Sequence, residues 1–150
     1  SFPTRRSSDL NDFLLFSKAY LQAGIALDFG RSSYNMRWYY YFDDYMLEYI
    51  VDCASKELPI SMLCTDALDK LRKYDRENNA DLYRTLEIFL QYEKNVLRTS
   101  KELFIHRSTL SYRLERIQKI INMDLEDPKE RLKLEISYYM AKGVSKEQHW

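Results

Sequence analysis

Residues 95–121 read NVLRTSKELFIHRSTLSYRLERIQKII, and they decide the fold of the C-terminal part of this 150-residue chain. The second half of the stretch predicts a helix over 107–121, because apolar residues recur on one face of a 3.6-residue period. This apolar stripe consists of Leu110, Leu114, Ile117 and Ile121. The opposite face, called the outer face below, is polar and mostly cationic, and it carries one aromatic ring. The outer face consists of Ser108, Ser111, Tyr112, Glu115, Arg116 and Lys119.

A shorter helix is predicted immediately before this one, over about 96–103. Its expected inner residues are Val96, Ser100 and Leu103. We expect Phe104 and Ile105 to fill the junction between the two helices, and either His106 or Ser108 to cap the second helix. Two helices joined by such a short turn have helix-turn-helix spacing.

The charge of this region differs from that of the rest of the chain. Between Lys94 and Ile121 there are seven Lys or Arg and two Glu, a formal excess of +5, whereas the whole chain is formally neutral. A cationic patch on an otherwise acidic protein is typical of a phosphate-binding surface. The open alternative is a solvated helical hairpin within a bundle, whose Lys and Arg serve only solubility.

The stretch ELFIHRSTLSYRLERIQKI, followed by DLEDPKERLKLEISYYMA, resembles the C-terminal helix-turn-helix of the PucR/CdaR family over about residues 80–141. Members of that family are bacterial transcription regulators of purine catabolism and sugar-diacid use. The positions that match the family pattern are Thr85, Leu86, Asn95, Thr99, Leu103, Ile105, His106, Arg107, Thr109, Leu110, Tyr112, Arg113, Leu114, Arg116, Ile117, Asp124, Leu125, Asp127, Pro128, Arg131 and Leu132. Ser100, Ser108 and Ser111 depart from the pattern, and the last two lie on the outer face, where they bear on base preference.

The other segments predict a mainly α protein, a multi-helix bundle with a C-terminal helix-turn-helix. Further helices are predicted over about 11–29, 43–55, 60–73, 80–92 and 128–142. Gly30 and Gly143 are expected to end the first and last of these, and Asp127 to cap the start of the last. The aromatic run MRWYYYF over 36–42 predicts one short orphan strand, and the polar residues 75–79 predict a loop.

The predicted domains follow from these segments and from the resemblance. Within residues 1–10, SFPTRRSSDL, the stretch from Phe2 to Leu10 resembles a translated sequencing adapter, so we expect a non-native or disordered tail over 1–10. The resemblance implies that residues 11–58 are the remnant of a central cyclase-like domain with a linker helix, in an N-terminally truncated regulator. We expect residues 59–142 to form the DNA-binding domain and residues 143–150 to be a frayed tail.

Composition restricts the classes of function. The chain is 45% hydrophobic with only three Gly and three Pro, which suits a folded helical protein. No apolar run approaches the roughly 20 residues needed to span a bilayer, so no membrane partner is expected. Cys53 and Cys64 lack metal-ligand spacing and are expected to be reduced core residues of a cytoplasmic protein. No nucleophile elbow, phosphate-binding glycine loop or dinucleotide fingerprint occurs, so we expect no enzyme activity, cofactor or metal.

The leading hypothesis is sequence-specific binding of double-stranded DNA, with helix 107–121 in the major groove. The candidates for base contacts lie on its first turns and are Ser108, Thr109, Ser111 and Tyr112. The candidates for contacts with the phosphate backbone are Asn95, Arg98, Thr99, His106, Arg107, Arg113 and Arg116. Two alternatives stay open, namely that His106 is only a helix cap and that Arg113, nearer the apolar stripe, ties its helix to a neighbour.

The expected partners follow from the same hypothesis. One helix-turn-helix contacts few bases, so we expect a homodimer on two half-sites about 34 Å apart or a multiple of that distance. The resemblance implies that a small-molecule effector is sensed by upstream domains absent from this chain. The alternative hypothesis is a helical protein-interaction or dimerisation module that does not bind DNA. A steep salt dependence of binding would distinguish groove binding from this alternative.

Overall fold

The computed structural model describes residues 13–33 and 37–147 of the chain. Within these residues the regular structure is helical, and no strand is formed. The α-helices are α1 Phe13–Ser32, α2 Met46–Ser55, α3 Ile60–Leu63, α4 Ala67–Asn78, α5 Leu82–Gln91, α6 Val96–Glu102, α7 Arg107–Ile121 and α8 Pro128–Glu147. A 3-10 helix, Phe42–Asp44, precedes α2. The prediction of a mainly α protein with a C-terminal helix-turn-helix is therefore confirmed.

The chain divides into two compact units, the first ending at Glu57 and the second beginning at Leu58. In the first unit the orphan strand predicted over 36–42 is wrong, because residues 37–41 are irregular and Phe42 begins the 3-10 helix. Tyr40 of this run packs against Gly30 of α1 instead, whereas Trp38 and Tyr39 are exposed. Tertiary packing has therefore overridden the β-strand propensity of these residues. Met36, the first residue of the predicted strand, lies outside the described residues.

Gly30 does not end the first helix, which continues to Ser32. A side chain at Gly30 would overlap the ring of Tyr40, so the glycine is required for close approach rather than as a cap. The prediction that Cys53 is a core residue is also wrong, because its side chain is exposed. The assignment of this unit to a cyclase-like remnant stays a prediction.

The second unit is held together by apolar side chains from α4, α5, α7 and α8. The buried core consists of Ala67, Leu68, Leu71, Leu82, Leu86, Phe89, Leu90, Ile117, Ile121, Leu125, Leu134 and Tyr138. Burying a Leu, Ile or Phe side chain contributes about 1.5–3 kcal/mol, so this cluster is the main source of stability in the unit. Because α7 supplies two of these residues, its orientation is fixed by the core.

Helix α4 differs from its prediction at both ends. The predicted helix over 60–73 is interrupted at 64–66, where the backbone N–H of Thr65 donates to the Ser137 hydroxyl at 3.0 Å. The predicted loop at 75–79 is wrong, because α4 continues to Asn78 and ends at Asn79 in a left-handed conformation. The Asp75 carboxylate accepts hydrogen bonds from the N–H groups of Leu82 and Tyr83 at 2.9 and 2.8 Å, and so caps the start of α5.

Helix α8 begins as predicted but ends later. The Asp127 carboxylate accepts a hydrogen bond from the Lys129 N–H at 2.8 Å, and Pro128 occupies the first helical position. Gly143 does not end the helix, so the predicted frayed tail is wrong over 143–147, and residues 148–150 lie outside the described residues.

No helix in the described part of the chain is both long and apolar enough to cross a membrane.

Candidate nucleic-acid interface

Helices α6 and α7 pack against each other and are joined by residues 103–106. Helix α6 begins at a cap in which the Asn95 side chain accepts a hydrogen bond from the Arg98 N–H at 3.0 Å. Both Asn95 and Arg98 are exposed at the start of α6. The free N–H groups of such a helix start favour an anion, which is why these two residues, together with Thr99, are predicted to contact phosphate.

The turn between the helices places Phe104 in the solvent. The Ile105 N–H donates to the Ser100 carbonyl at 3.0 Å and the Phe104 N–H donates to the Lys101 carbonyl at 3.1 Å, which is the pattern of a Schellman motif. Phe104 occupies its left-handed position with φ of 53° and is 95% exposed. The prediction that Phe104 fills the junction is therefore wrong, whereas Ile105 is half-buried.

The start of α7 is capped by His106. Its Nδ1 accepts a hydrogen bond from the Ser108 N–H at 3.3 Å and lies 2.8 Å from the Ser108 hydroxyl. Of the two predicted caps, the structure therefore selects His106. His106 as a whole is exposed, and its predicted phosphate contact stays a prediction.

The two faces of α7 are separated as the sequence predicted. Leu110 and Ile117 are fully buried, Ile121 is 3% exposed and Leu114 is half-buried. The outer-face residues are all exposed, and so are Arg107 and Thr109 at the start of the helix. The N-terminal half of α7 thus presents the four predicted base-contact residues, Ser108, Thr109, Ser111 and Tyr112, to solvent.

Arg113 lies at the border of the two faces and is directed toward α5. Its guanidinium donates a hydrogen bond to the Thr85 hydroxyl at 2.9 Å and lies 4.0 Å from the Asp81 carboxylate. Thr85 is fully buried, and the Arg113 side chain is only 26% exposed. Arg113 therefore ties α7 to α5, the alternative that the sequence left open, and its geometry does not favour a phosphate contact.

Arg116 is held at the surface by two tyrosines. Its Nε donates to the Tyr74 hydroxyl at 2.6 Å, and Nη1 donates to the Tyr112 hydroxyl at 3.2 Å. The guanidinium carbon lies 5.1 Å from the centre of the Tyr74 ring. The hydrogen bond to Tyr74 raises the pKa of the Arg116 guanidinium above its ordinary value. The group stays cationic and its position is fixed before any ligand binds.

Thr99 does not contribute to this surface. It is fully buried, and its hydroxyl has no hydrogen-bond partner among the described residues. Ser100 beside it is 4% exposed, as expected for an inner residue of α6. Its burial does not favour the predicted contact of Thr99 with the DNA backbone, which stays a prediction, whereas Asn95 and Arg98 face solvent.

The cationic excess of the region is mostly unneutralised. Lys94 forms an ion pair with Glu126 at 2.6 Å. Five other cations have no carboxylate within 4.0 Å in the part of the chain that the structure describes. These cations are Arg98, Lys101, Arg107, Arg116 and Lys119. Their charge is available to an anionic partner along α6 and α7.

Tyr74 was missed by the sequence analysis. It lies next to the predicted loop at 75–79, and only the continuation of α4 past it places its ring against α7. The signal that could have found it is its spacing of three residues from Leu71, which puts both on one helical face.

The described residues contain no cluster of three or more His, Cys, Asp or Glu that could hold a metal ion.

Residues 82–140 match the family model described as the PucR C-terminal helix-turn-helix domain. This part of the chain is therefore similar to a PucR C-terminal helix-turn-helix domain. The match spans α5 to α8, so it includes the two helices of the candidate interface. Tyr74 on α4 lies outside the matched residues. The resemblance predicted from the sequence is confirmed.

Named relatives of the PucR domain are bacterial regulators. The chain is 44% identical over 61 residues to the DNA-binding transcriptional activator AdeR of Bacillus subtilis (strain 168), covering 41% of the chain and 14% of AdeR. It is 37% identical over 98 residues to the carbohydrate diacid regulator of Escherichia coli (strain K12), covering 65% of the chain and 25% of that protein. The purine catabolism regulatory protein of B. subtilis is 29% identical over 70 residues, which are 47% of the chain and 13% of that regulator.

The chain therefore spans at most a quarter of the length of each of these three relatives. No solved structure shows a significant match to it. The family model is described as a helix-turn-helix domain and the three relatives are named as an activator or as regulators, which agrees with the prediction that the chain is not an enzyme.

Proposed function

We propose that this chain binds double-stranded DNA with sequence preference, as part of a bacterial transcription regulator, and that α7 enters the major groove. The observation that carries the proposal is that the outer face of α7 is exposed along the helix, while its inner face is sealed in the core. Helix α7 has 15 residues, so it is about 22 Å long and can cross a major groove about 12 Å wide.

Base contact is assigned to the first turns of α7. Ser108, Thr109, Ser111 and Tyr112 are exposed there. The hydroxyl groups of the first three can donate to or accept from base edges, while the Tyr112 ring offers apolar contact. The Thr109 methyl group suits apolar contact with a thymine methyl. The Ser108 hydroxyl lies 2.8 Å from His106 Nδ1, so Ser108 is partly committed to the helix cap. Ser111 is the hydroxyl residue best placed to determine base preference.

Backbone contact is assigned to groups on both sides of these turns. Asn95 and Arg98 lie at the exposed start of α6, where backbone N–H groups add to the attraction for an anion. Arg107 and Arg116 lie on α7 without a neutralising carboxylate in the described part of the chain. Such contacts position the protein on the duplex and supply most of the affinity, but they do not discriminate sequences.

A homodimer on two half-sites is part of the same proposal. One module contacts few base pairs, and two modules related by a twofold axis would place their α7 helices about 34 Å apart or a multiple of that distance. Control by a small-molecule effector stays a prediction, which neither the fold nor the comparisons test.

Selection of bound sites from random duplexes tests the proposal. The 150-residue chain is expected to enrich a common sequence from duplexes of about 30 base pairs, which can hold two half-sites. The Ser111→Ala variant should enrich a sequence altered at one or more positions. Ser61→Ala, the same change at an exposed serine of α3, is the matched control and should enrich the wild-type sequence.

The outcomes separate the two hypotheses. A Kd that weakens steeply with salt, together with an enriched sequence, supports binding in the groove. Salt-dependent binding without any enriched sequence would refute the sequence preference. No measurable binding to any duplex at low salt would refute DNA binding, and would favour the alternative of a protein-interaction module.

A further inference from the structure

We propose that Tyr74, Tyr112 and Arg116 form a phosphate clamp, through which α4 holds the DNA backbone beside α7. The inference rests on the proposed function, and it adds a DNA-binding residue, Tyr74, that lies outside the matched helix-turn-helix domain. The clamp joins side chains of two helices, because α4 and α7 pack against each other in the second unit.

The geometry leaves the clamp open to a ligand. Arg116 uses two of its N–H groups, one to each tyrosine hydroxyl, at 2.6 Å from Tyr74 and 3.2 Å from Tyr112. A guanidinium has five N–H donors, so three remain. Each tyrosine hydroxyl accepts from Arg116 and keeps its own hydrogen to donate. Arg116 and Tyr112 are exposed and Tyr74 is half-buried, so these donors can reach a phosphate oxygen.

The charge of the clamp distinguishes it from ordinary arginine–tyrosine packing. The chain contains a second such pair, in which Arg72 donates to the Tyr83 hydroxyl at 3.0 Å and lies 4.6 Å from the centre of its ring. Arg72 also lies 3.9 Å from the Asp69 carboxylate, which offsets its charge. Both partners of Arg116 are neutral phenols. Its full positive charge is therefore retained and fixed in position, as the binding of a phosphate requires.

The clamp lies beside α7 at a position from which it could contact the sugar-phosphate backbone of DNA. Tyr112 and Arg116 are one helical turn apart on the outer face of α7, and α6 packs on the same helix. Asn95 and Arg98 at the start of α6 are the other proposed backbone contacts. The clamp gives α7 a backbone contact from α4 in addition to that from α6. Two such contacts would fix the orientation of α7 in the groove.

Removing the single hydroxyl of Tyr74 tests the clamp. Tyr74→Phe keeps the ring against Arg116 and deletes only the hydrogen-bonding group. We expect it to weaken binding of a mixed-sequence duplex and of the selected duplex by the same factor, about tenfold or more, since one hydrogen bond to a charged group is lost. Arg116→Ala should weaken both and lower the slope of log Kd against log salt by about 0.9, the value for one phosphate contact.

Two further variants complete the design. Tyr83→Phe makes the same change in the pair with Arg72 and should leave both the Kd and the salt slope unchanged. The double variant Tyr74→Phe/Arg116→Ala should bind like Arg116→Ala alone, because the Tyr74 hydroxyl acts together with the guanidinium. Melting temperatures of all variants are measured in parallel, and Tyr74→Phe should melt within about 2 °C of wild type, because the bond it loses is exposed.

The failures of the two proposals are distinguishable. If wild type binds DNA and Tyr74→Phe binds equally well, the clamp is refuted while DNA binding stands. An equal loss of affinity in Tyr83→Phe and Tyr74→Phe would also refute it, since the effect would not be specific to the clamp. If wild type binds no duplex, the proposed function fails and the clamp fails with it.

Discussion

Two arginines on α7, three residues apart, are expected to have different effects when each is replaced by alanine: one substitution should lower stability and the other should lower DNA affinity. Arg113 donates to the buried Thr85 hydroxyl at 2.9 Å and its side chain is 26% exposed, so its loss should reduce stability. Arg116 is exposed and, within the described residues, its side chain donates hydrogen bonds to two phenols, so its loss should reduce DNA affinity. The structure therefore predicts a separation of folding from binding between neighbouring positions of one helix.

The magnitude for Arg113→Ala follows from its contacts. A hydrogen bond from a charged donor contributes about 1.5–3 kcal/mol. The Asp81 carboxylate, 4.0 Å away and 49% exposed, adds well under about 1 kcal/mol because solvent screens the pair. We expect a loss of about 2 kcal/mol in the free energy of unfolding. For a unit of fewer than about 100 residues, this lowers the melting temperature by roughly 10 °C.

Thermal unfolding followed by circular dichroism measures this loss, and amide hydrogen exchange in α5 and α7 locates it. Arg84→Ala is the control, because Arg84 is exposed on the same helix as Thr85. At a temperature where all variants are folded, Arg113→Ala should bind DNA within about twofold of wild type, while Arg116→Ala should lose about 0.9 of the salt slope. An Arg113→Ala protein that melts like wild type but has lost DNA affinity would refute the assignment.

Three further substitutions test the description of the second unit. Ile117→Ala truncates a fully buried core residue and should cost about 2–5 kcal/mol in urea denaturation, and a cost below about 1 kcal/mol would contradict the assigned core. Thr99→Val removes a buried hydroxyl without a partner in the described residues; it should stabilise the unit by about 1 kcal/mol with DNA affinity unchanged, and weaker binding would support the predicted contact. Phe104→Gly relieves a φ of 53° at an exposed position and should raise stability by about 0.5–1 kcal/mol, whereas a loss would reveal packing of the ring.

The sequence was most informative where one helix carries two different faces. Leu110, Ile117 and Ile121 are buried as their spacing predicts, because the core of the second unit forms against one side of α7. The helix-turn-helix spacing and the cap at His106 also followed from local rules. These features depend on residues close together in the chain, so a periodic pattern contains enough information to predict them.

The sequence was less informative where distant residues decide a local structure. The polar residues at 75–79 favour a loop, yet Asp75 stays in α4 because its carboxylate caps the start of α5. Likewise the run at 36–42 is aromatic enough for a strand, but Tyr40 packs against the surface of Gly30. A propensity cannot report such contacts, because it describes each residue without its tertiary neighbours.

In the candidate site, too, features set by neighbouring residues could be predicted, whereas features set by distant residues could not. Exposure of Arg116 could be predicted from its place on α7, but the hydroxyl that fixes its guanidinium comes from Tyr74, 42 positions earlier in the chain. The burial of Thr99 was not predicted, because α6 has only seven residues, too few for an apolar period to define its faces. Short helices and contacts between helices therefore limit what a single sequence reveals about a binding surface.

In the proposed function, helix α7 serves both stability and DNA recognition without conflict, because the two tasks use different sides of the helix. Its apolar residues fix its rotation about its own axis, and that rotation determines which side chains face outward. Arg113, at the border of the two faces, donates a hydrogen bond to Thr85 of α5, and this bond resists rotation of α7 about its axis in either direction. A base-contacting helix must be held closely to the productive geometry, and sites on rigid elements achieve this better than sites on loops. In the proposed function, the buried core side chains of α4, α5 and α8 would thus contribute to DNA recognition by holding Ser111 and Arg116 on the solvent side.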